Sequence, residues 1–328
     1  MLVTFLFSIS IFLVEPPELW GPAPTKEQLQ FQREELSSFI HFGPNTFTGQ
    51  EWGDGSEDPN IFRPTHLDTD QWVSTLQRGG FKRLIFTAKH HDGFCNWKSK
   101  FTRHQVNESI DFQAISKFLH QSGDVLQEVS KSCTKYNMSM GLYLSPWDRN
   151  SSFYGNDAEY NQYYMRQLTE IINGDEEETE KLINKIFGSK KTLDNRYAYS
   201  NIDQKKYHHQ KINEEKSNEM KHNEKIYGNN GKFVEIWLDS AKGEGEKNQT
   251  YWFSQWFEIV RKYQPHAIIY SDYGTEARWV GNEKGIAGDP CWSRFDLKNQ
   301  QICFDLNPDC KDFDLNIGDP YGPDYSVA

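Results

Sequence analysis

Acidic residues near the ends of predicted strands could cleave a glycosidic bond. That reaction uses two carboxyl groups on either side of the bond, one as nucleophile or base and one as acid. Asp239 follows the apolar run at residues 234–238, where a rigid strand could hold a nucleophile; a cap on the next helix is the structural alternative. Glu283 lies in a later loop beside Trp279, and an aromatic surround favours a protonated acid. On position alone, three other residues compete with Glu283: Glu276, Glu244 and Glu246.

A second polar cluster, residues 89–92 (KHHD), follows another predicted strand. His90, His91 and Asp92 could be read as the metal ligands of a metal-dependent hydrolase. Neighbouring histidines on a strand or loop point in different directions, however, and no third ligand stands at a metal-binding spacing. Neutral imidazoles that form hydrogen bonds with sugar hydroxyls fit the pattern better. His41, at the end of the first predicted strand, fits the same role.

From residue 36 onward, short β-branched or aromatic runs alternate with amphipathic segments, a pattern typical of βα units and a parallel sheet. The predicted strands lie at residues 37–42, 83–88, 139–144, 234–238 and 267–270, and the predicted helices at 68–79, 124–136, 157–172 and 251–263. The strands are uninterrupted apolar runs, which predicts helices over both faces of the sheet. Three of them end in polar segments, at 89–92, 145–149 and 239. Because active sites of parallel barrels lie at the carboxyl ends of the strands, we expect these segments to meet in one site.

Composition narrows the class of partner. Aromatic residues make up 15% of the 328 residues, more than a core needs, and their flat faces are suited to stacking on sugar rings or bases. The net charge of −11 and the lack of a basic stripe exclude a nucleic-acid partner. Mean hydropathy is −0.80, and no run after the amino terminus is apolar enough to span a bilayer. A carbohydrate ligand remains as the expectation.

The amino terminus differs from the rest of the chain. Residues 2–14 (LVTFLFSISIFLV) have the length of a signal-peptide apolar region; a buried strand or a trimmed gene start is the alternative. Five cysteines are an odd number without metal spacing, although Cys303 and Cys310 could close a short loop. We expect a secreted protein, extracellular or lysosomal/vacuolar. Four glycosylation sequons are compatible with that expectation: Asn107, Asn137, Asn150 and Asn248.

Two segments depart from the βα pattern. Residues 175–230 are rich in Lys, Glu and Asn with few large apolar side chains, so a disordered or loosely helical insertion is expected there. Residues 291–328 are polar and offer at most one more short strand. The predicted fold is therefore an α/β (β/α)8 TIM-like barrel that is incomplete, with a disordered insertion.

Taken together, the motifs resemble the α-L-fucosidases of glycoside hydrolase family 29, and most closely the branch acting on α-1,3/1,4-linked fucose, which includes plant-type enzymes. The motifs occur in the same order as in the family over residues 33–295, and the chance of finding all of them together by coincidence is negligible. The motifs that carry it are FIHFG at 39–43, EWG at 51–53, TAKHHDGF at 87–94, YLSPWD at 143–148, WLD at 237–239 and RWVGNE at 278–283.

After the signal-like apolar segment at 1–20, the resemblance implies a catalytic barrel domain over 21–328. It also implies a retaining mechanism with no metal or other cofactor. It implies Asp239 as the nucleophile and Glu283 as the acid/base. The partner would be a fucosylated oligosaccharide or glycoprotein glycan, with no nucleic acid and no membrane contact after signal removal. The residues expected to bind fucose are His41, Glu51, Trp52, His90, His91, Tyr143, Trp237 and Arg278.

This chain departs from the family in two places. The insertion at 175–230 interrupts a normally short connection, and the chain stops at Ala328, before the last barrel strands and the C-terminal β domain of the family. Two hypotheses therefore stand: an active fucosidase, or a non-catalytic truncated fragment or fucose-binding pseudoenzyme.

Overall fold

The computed structural model describes residues 24–172, 176–187, 227–239, 245–271 and 276–277. Among these, Cys95 and Cys133 are buried free thiols. No helix in these ranges has the length and apolar character needed to cross a membrane. Several predicted features lie outside the described residues: the signal-like start at 1–20, most of the charged insertion, Glu244, Arg278, Trp279, Glu283, Cys303, Cys310 and the segment 291–328.

All five predicted strands are confirmed, and they form one parallel sheet in sequential order. The strands are β1 (Ser37–Ile40), β2 (Arg83–Lys89), β3 (Ser139–Leu144), β4 (Glu235–Leu238) and β5 (Ile268–Ser271). Each strand pairs with the next along the chain, which is the arrangement of a (β/α) barrel. Within the described residues the sheet remains open, with β1 and β5 as its edges.

Helices connect and cover these strands. They are α1 (Lys26–Glu34), α2 (Pro44–Thr48), α3 (Thr69–Arg78), α4 (Ile110–Phe118), α5 (Val125–Lys135), α6 (Asp157–Ile172), α7 (Glu176–Phe187) and α8 (Phe253–Tyr263), with short 3-10 helices at Pro59–Ile61 and Val106–Glu108. The four predicted helices correspond to α3, α5, α6 and α8. Two of them begin where an aspartate caps the first turn: Asp68 accepts from the Gln71 N–H and Asp124 from the Gln127 N–H.

The two faces of the sheet have different partners. Phe86, Leu142, Ile236 and Ile269 are aligned by the strand register and belong to the hydrophobic core, together with side chains of α3, α5, α6 and α8. Residues of the opposite parity, such as Tyr143 and the side chains aligned with it, face a cavity instead. The prediction that helices cover both faces is therefore corrected: one face packs on helices, and the other forms the site near the carboxyl ends of the strands.

The predicted boundaries of the charged insertion also need correction at both ends. Helix α7 occupies its start, where Leu182, Ile183 and Ile186 form an apolar stripe packed on the core. Arg166 of α6 donates through Nε to Glu180 of α7 at 2.8 Å. At the other end, the buried Tyr227 donates its hydroxyl to Asp124 Oδ2 at 2.9 Å. At the first end, a few apolar side chains at helical spacing pack on the core despite the charged composition.

Candidate active site

One row of side chains crosses the sheet near the carboxyl ends of the strands. Thr87 pairs with Tyr143, Tyr143 with Trp237, and Trp237 with Tyr270. His41, just beyond β1, joins this row because its Nδ1 lies 3.1 Å from Thr87 Oγ1. Since side chains in register on neighbouring strands point to the same face, the sheet itself places an imidazole, a phenol and an indole side by side.

Four members of this row, His41, Thr87, Tyr143 and Trp237, form the floor of a cavity of about 630 Å³, within the range of small-ligand sites. Asp239, directly after β4, and the segment after β2 supply the walls on the strand side. Helix α2 and the residues after it cover the opposite side. The cavity is lined by Phe39, His41, Phe42, Gly43, Pro44, Asn45, Thr46, Gln50, Glu51, Trp52, Thr87, His90, His91, Asp92, Phe94, Asn96, Tyr143, Trp237 and Asp239.

Asp239 presents its carboxylate to this cavity. The Tyr143 hydroxyl donates to Asp239 Oδ2 at 2.7 Å, and burial together with the Asp239 charge keeps the pKa of that tyrosine well above its usual value, so the phenol stays protonated. His91 Nε2 lies 3.9 Å from the same oxygen, and the Asp239 side chain is 14% exposed. The carboxylate is thus held in a fixed orientation and can be reached from the cavity.

Three imidazoles stand together above the floor. The ring centroids of His41 and His90 are 5.1 Å apart, and those of His90 and His91 are 4.1 Å apart. Burial lowers the pKa of His90 and of His91 to about 3, with a further contribution from the neighbouring imidazoles. Burial also lowers the pKa of His41. The rings are therefore neutral near pH 7 and can both donate and accept hydrogen bonds, as an uncharged polyhydroxyl ligand requires.

The metal-ligand interpretation of His90, His91 and Asp92 finds no support in the geometry. Among the residues that the structure describes, no group of three or more His, Cys, Asp or Glu side chains is placed to hold a metal ion. His91 Nδ1 is instead 2.8 Å from Ser145 Oγ. Asp92 is engaged with Asn45 and with the Phe94 N–H.

Aromatic rings complete the walls. Trp237 stacks on Tyr270 at 3.7 Å between centroids and 6° between planes, and Phe39 meets it edge-on at 5.2 Å. Trp52 lies at the rim with 49% of its surface exposed, edge-on to Trp147. Such rigid aromatic faces can stack on the apolar side of a sugar ring without much loss of side-chain entropy.

Most residues predicted for the site do come together. Eight of them line the cavity: His41, Glu51, Trp52, His90, His91, Tyr143, Trp237 and Asp239. Arg278 and Glu283 lie outside the described residues. The Glu283 assignment therefore rests on the sequence.

The competing acids have other partners. Glu276 forms an ion pair with Arg261, and its Oε2 accepts from the Ile269 N–H at 3.0 Å. Burial raises the pKa of Glu276, as a general acid would need, but this residue does not line the cavity. Glu246 pairs with Arg149 at 3.0 Å and is also absent from the cavity wall. Both carboxylates support the surrounding structure rather than the site.

Sequence reasoning missed the contribution of α2. Asn45 lies on this short helix and donates to Asp92 Oδ2 at 2.9 Å, which ties α2 to the segment after β2. Proline is common at the first position of a helix, and Pro44 occupies that position in α2. This proline was the sequence signal that could have predicted the helix. Phe39, Thr87 and Asn96 line the cavity as well, but a single polar or aromatic residue in a strand carries no distinguishing pattern.

Asp92 should make stability depend on pH. Burial, with the nearby Glu57 and Asp148 charges, raises its pKa from 3.8 to about 7. The folded protein therefore holds a proton at Asp92 that the unfolded chain releases between pH 4 and 7, so this group's contribution to stability falls as pH rises. The measured quantity is the free energy of unfolding of the wild type minus that of Asp92→Asn. We expect this difference to decrease by up to about 1.4 kcal/mol per pH unit between pH 4 and 7.

Urea unfolding of both proteins at pH 4, 5.5 and 7 measures this difference. Asp111→Asn, on the exposed side of α4, controls for the loss of a carboxylate in general. A wild-type-minus-variant difference that is constant with pH would contradict the assignment of a proton to Asp92.

The chain is similar to known proteins in sequence and in structure. The α-L-fucosidase family model matches residues 24–302. Alpha-L-fucosidase 1 of Arabidopsis thaliana is 37% identical over 94% of this chain, which covers 47% of that protein. The crystal structure of SpGH29 is similar with a TM-score of 0.64 at 37% identity, covering 94% of this chain and 55% of that one. A Ruminococcus gnavus GH29 fucosidase in complex with fucose is 34% identical with a TM-score of 0.60, covering 84% of this chain and 49% of that one. The chain spans about half the length of the curated relatives it matches.

Proposed function

Because the chain belongs to the α-L-fucosidase family of glycoside hydrolases, we propose that it is a retaining enzyme that releases terminal α-linked L-fucose. The observation that carries this proposal is the oriented carboxylate of Asp239 in a cavity lined by neutral imidazoles and aromatic rings. A charged substrate would need a counter-charge. An uncharged sugar needs the donors and acceptors that His41, His90 and His91 supply.

In the first proposed step, Asp239 attacks the anomeric carbon and forms a glycosyl ester as the bond to the leaving oxygen breaks. Glu283 gives its proton to that oxygen, so the departing sugar leaves as a neutral alcohol. The hydrogen bond from Tyr143 to Asp239 Oδ2 restricts rotation of the carboxylate, which favours a reproducible direction of attack.

In the second step, Glu283 takes a proton from water while the water oxygen attacks the anomeric carbon. The bond to Asp239 breaks, and its carboxylate is regenerated. Two displacements at one carbon return the original configuration, so fucose leaves with the α configuration of the substrate.

Substrate recognition is assigned to the cavity wall. We assign the ring hydroxyls to Glu51 and the imidazoles, and the 6-methyl group that distinguishes fucose from galactose to the rings of Trp237 and Phe42. All of these residues line the cavity. We also assign Arg278 to substrate binding, and this assignment rests on the sequence motif alone.

The preference for α-1,3/1,4 linkages and for fucosylated oligosaccharides or glycoprotein glycans is the finer part of the proposal. It rests on the motif resemblance to the plant-type branch, and the Arabidopsis relative is compatible with it. A secretory location is proposed on the sequons and the apolar start of the chain. A panel of glycans that differ only in the fucose linkage would measure the preference directly.

The proposal is tested with purified protein and 4-nitrophenyl α-L-fucoside in excess chelator. We expect nitrophenol release that the chelator does not reduce, and α-L-fucose as the first anomer seen by proton NMR. Initial β-L-fucose would show inversion and contradict the covalent mechanism. Loss of activity in chelator, restored by a divalent metal, would support the metal-dependent alternative. Fucose binding with no turnover would support a fucose-binding pseudoenzyme instead.

A further inference from the structure

Ser145 connects the cavity wall to the backbone behind it. This residue directly follows β3 and is fully buried. Its Oγ lies 2.8 Å from His91 Nδ1 and 2.7 Å from the carbonyl oxygen of Trp147. The motif containing Ser145 was recognised in the sequence, but no role follows for this hydroxyl from the sequence alone.

The contacts of Ser145 with Trp147, Tyr143 and His91 determine where the His91 proton lies. The Tyr143 hydroxyl gives its own hydrogen to Asp239, so toward Ser145 it can only accept. A carbonyl oxygen only accepts, so the hydrogen in the contact between Ser145 and Trp147 belongs to the serine hydroxyl. A hydroxyl has one hydrogen, and Ser145 must therefore accept in its contact with His91. Nδ1 of His91 is then the donor. Because burial keeps this imidazole neutral, with a pKa of about 3, its Nε2 carries no proton and is an acceptor.

The acceptor Nε2 of His91 lies close to the proposed nucleophile. Nε2 of His91 lies 3.9 Å from Asp239 Oδ2, and both residues line the cavity. The ring is held between His90 and Trp147, with centroid distances of 4.1 and 4.8 Å. Nε2 and Oδ2 are both acceptors, so a ligand hydroxyl between them can donate its hydrogen to one of the two. In the opposite tautomer, the hydrogen on Nε2 would lie on the side of the ring near the carboxylate, and Nε2 could no longer accept a hydrogen bond from a ligand.

We propose that Ser145 is a positioning residue that fixes His91 as the Nδ1–H tautomer, so that Nε2 accepts from one substrate hydroxyl beside Asp239. The assignment of the hydroxyl to fucose rests on the proposed function. The tautomer itself follows from the hydrogen bonds within the chain and can be tested without turnover.

The tautomer test uses the full chain labelled with ¹⁵N-histidine near pH 7. Long-range ¹H–¹⁵N correlations distinguish a protonated Nδ1 from a protonated Nε2, and the spectrum of His91→Gln identifies the resonances. We expect Nδ1–H in the wild type and in Ser145→Thr, which keeps the hydroxyl. Ser145→Ala should move the population toward Nε2–H. Nε2–H in the wild type, or an unchanged tautomer in Ser145→Ala, would overturn the proposal; if Ser145→Ala does not fold, the wild-type measurement decides.

Ser130 offers a matched control. Its buried hydroxyl also donates to a carbonyl, that of Leu126 at 2.7 Å, and accepts from an N–H, that of Gly228 at 2.8 Å. It lies on α5, away from the cavity. Ser130→Ala should leave the His91 tautomer and the kinetic constants unchanged, which separates the role of Ser145 from the general loss of a buried hydroxyl.

The kinetic test uses 4-nitrophenyl α-L-fucoside and its monodeoxy analogues. For Ser145→Ala we expect kcat/KM on the parent substrate to fall about 10- to 100-fold, the cost of one mismatched buried hydrogen bond. In the wild type, removing the hydroxyl bound by Nε2 should lower kcat/KM, and in Ser145→Ala that penalty should disappear for the same analogue. Equal penalties in both proteins for every analogue would refute acceptance by Nε2. A wild type that does not release nitrophenol would refute the proposed function, while the NMR measurement would still decide the tautomer.

Discussion

Asp239→Asn is expected to lower kcat on 4-nitrophenyl α-L-fucoside by about 10,000-fold, the scale of losing a residue that reacts covalently with the substrate. The amide has nearly the shape of the carboxylate, and its oxygen can still accept from the Tyr143 hydroxyl that lies 2.7 Å from Oδ2. The cavity should therefore keep its form while the nucleophile is lost. Steady-state kinetics and fucose titration of the same preparation measure the two effects separately: turnover should vanish while fucose still binds.

Glu246→Gln is the matched control for this change. Glu246 also follows β4 in the chain, but its carboxylate pairs with Arg149 and does not line the cavity. We expect kcat within about 3-fold of the wild type, because only a partly exposed ion pair is lost. Turnover that survives in Asp239→Asn would show that Asp239 is not the nucleophile. An equal loss in Glu246→Gln would show that the effect is not specific to the cavity.

Glu283→Ala is expected to reduce kcat/KM about 1,000-fold on substrates whose leaving group needs a proton, since general acid–base catalysis contributes about 100- to 10,000-fold. With 4-nitrophenyl fucoside the leaving group departs without help, so the glycosyl ester at Asp239 should form and accumulate. Azide needs no general base and should release that ester. We expect azide to restore the rate and to yield α-L-fucosyl azide, which NMR identifies, because the second displacement completes the retention.

Glu276→Ala distinguishes the two candidate acids. Its carboxylate pairs with Arg261 and accepts from the Ile269 N–H, so the substitution removes an ion pair and a hydrogen bond together. The expected result is about 1–3 kcal/mol of lost stability in urea unfolding, with no response to azide. Azide rescue of Glu276→Ala, without rescue of Glu283→Ala, would transfer the acid role to Glu276.

The positions of the main elements could be predicted because each depends on local residue order. Asp68 and Asp124 are caps at the starts of α3 and α5, and both can be recognised without knowing the fold. Apolar runs identified every described strand, with end points that differ by at most two residues. The carboxyl ends of those strands then identified most of the site, since parallel topology brings them to one edge.

Other elements escaped prediction for identifiable reasons. In α1, Thr25 and Gln28 form a capping box, a recognisable local pattern, but the helix has no clear apolar stripe. Helix α4 exposes Ile110 and Phe118 and buries Phe112 and Ser116, which blurs its amphipathic pattern. Helix α2 has five residues, too few for a period to emerge. Each forms because it packs against distant residues.

By itself, the sequence determined which residues could do the chemistry and that β/α topology would gather them: Asp239, the three histidines, Tyr143 and Trp237 all line one cavity. Only the tertiary structure decided how they are held. The hydrogen bond from Tyr143 to Asp239 joins residues 96 apart in the chain, and the contact between Ser145 and His91 joins residues 54 apart. Local patterns report secondary structure and burial, whereas the direction of a hydrogen bond and the location of a proton depend on strand register and on distant atoms. The chemical role of a residue such as Ser145 therefore becomes visible only in the folded chain.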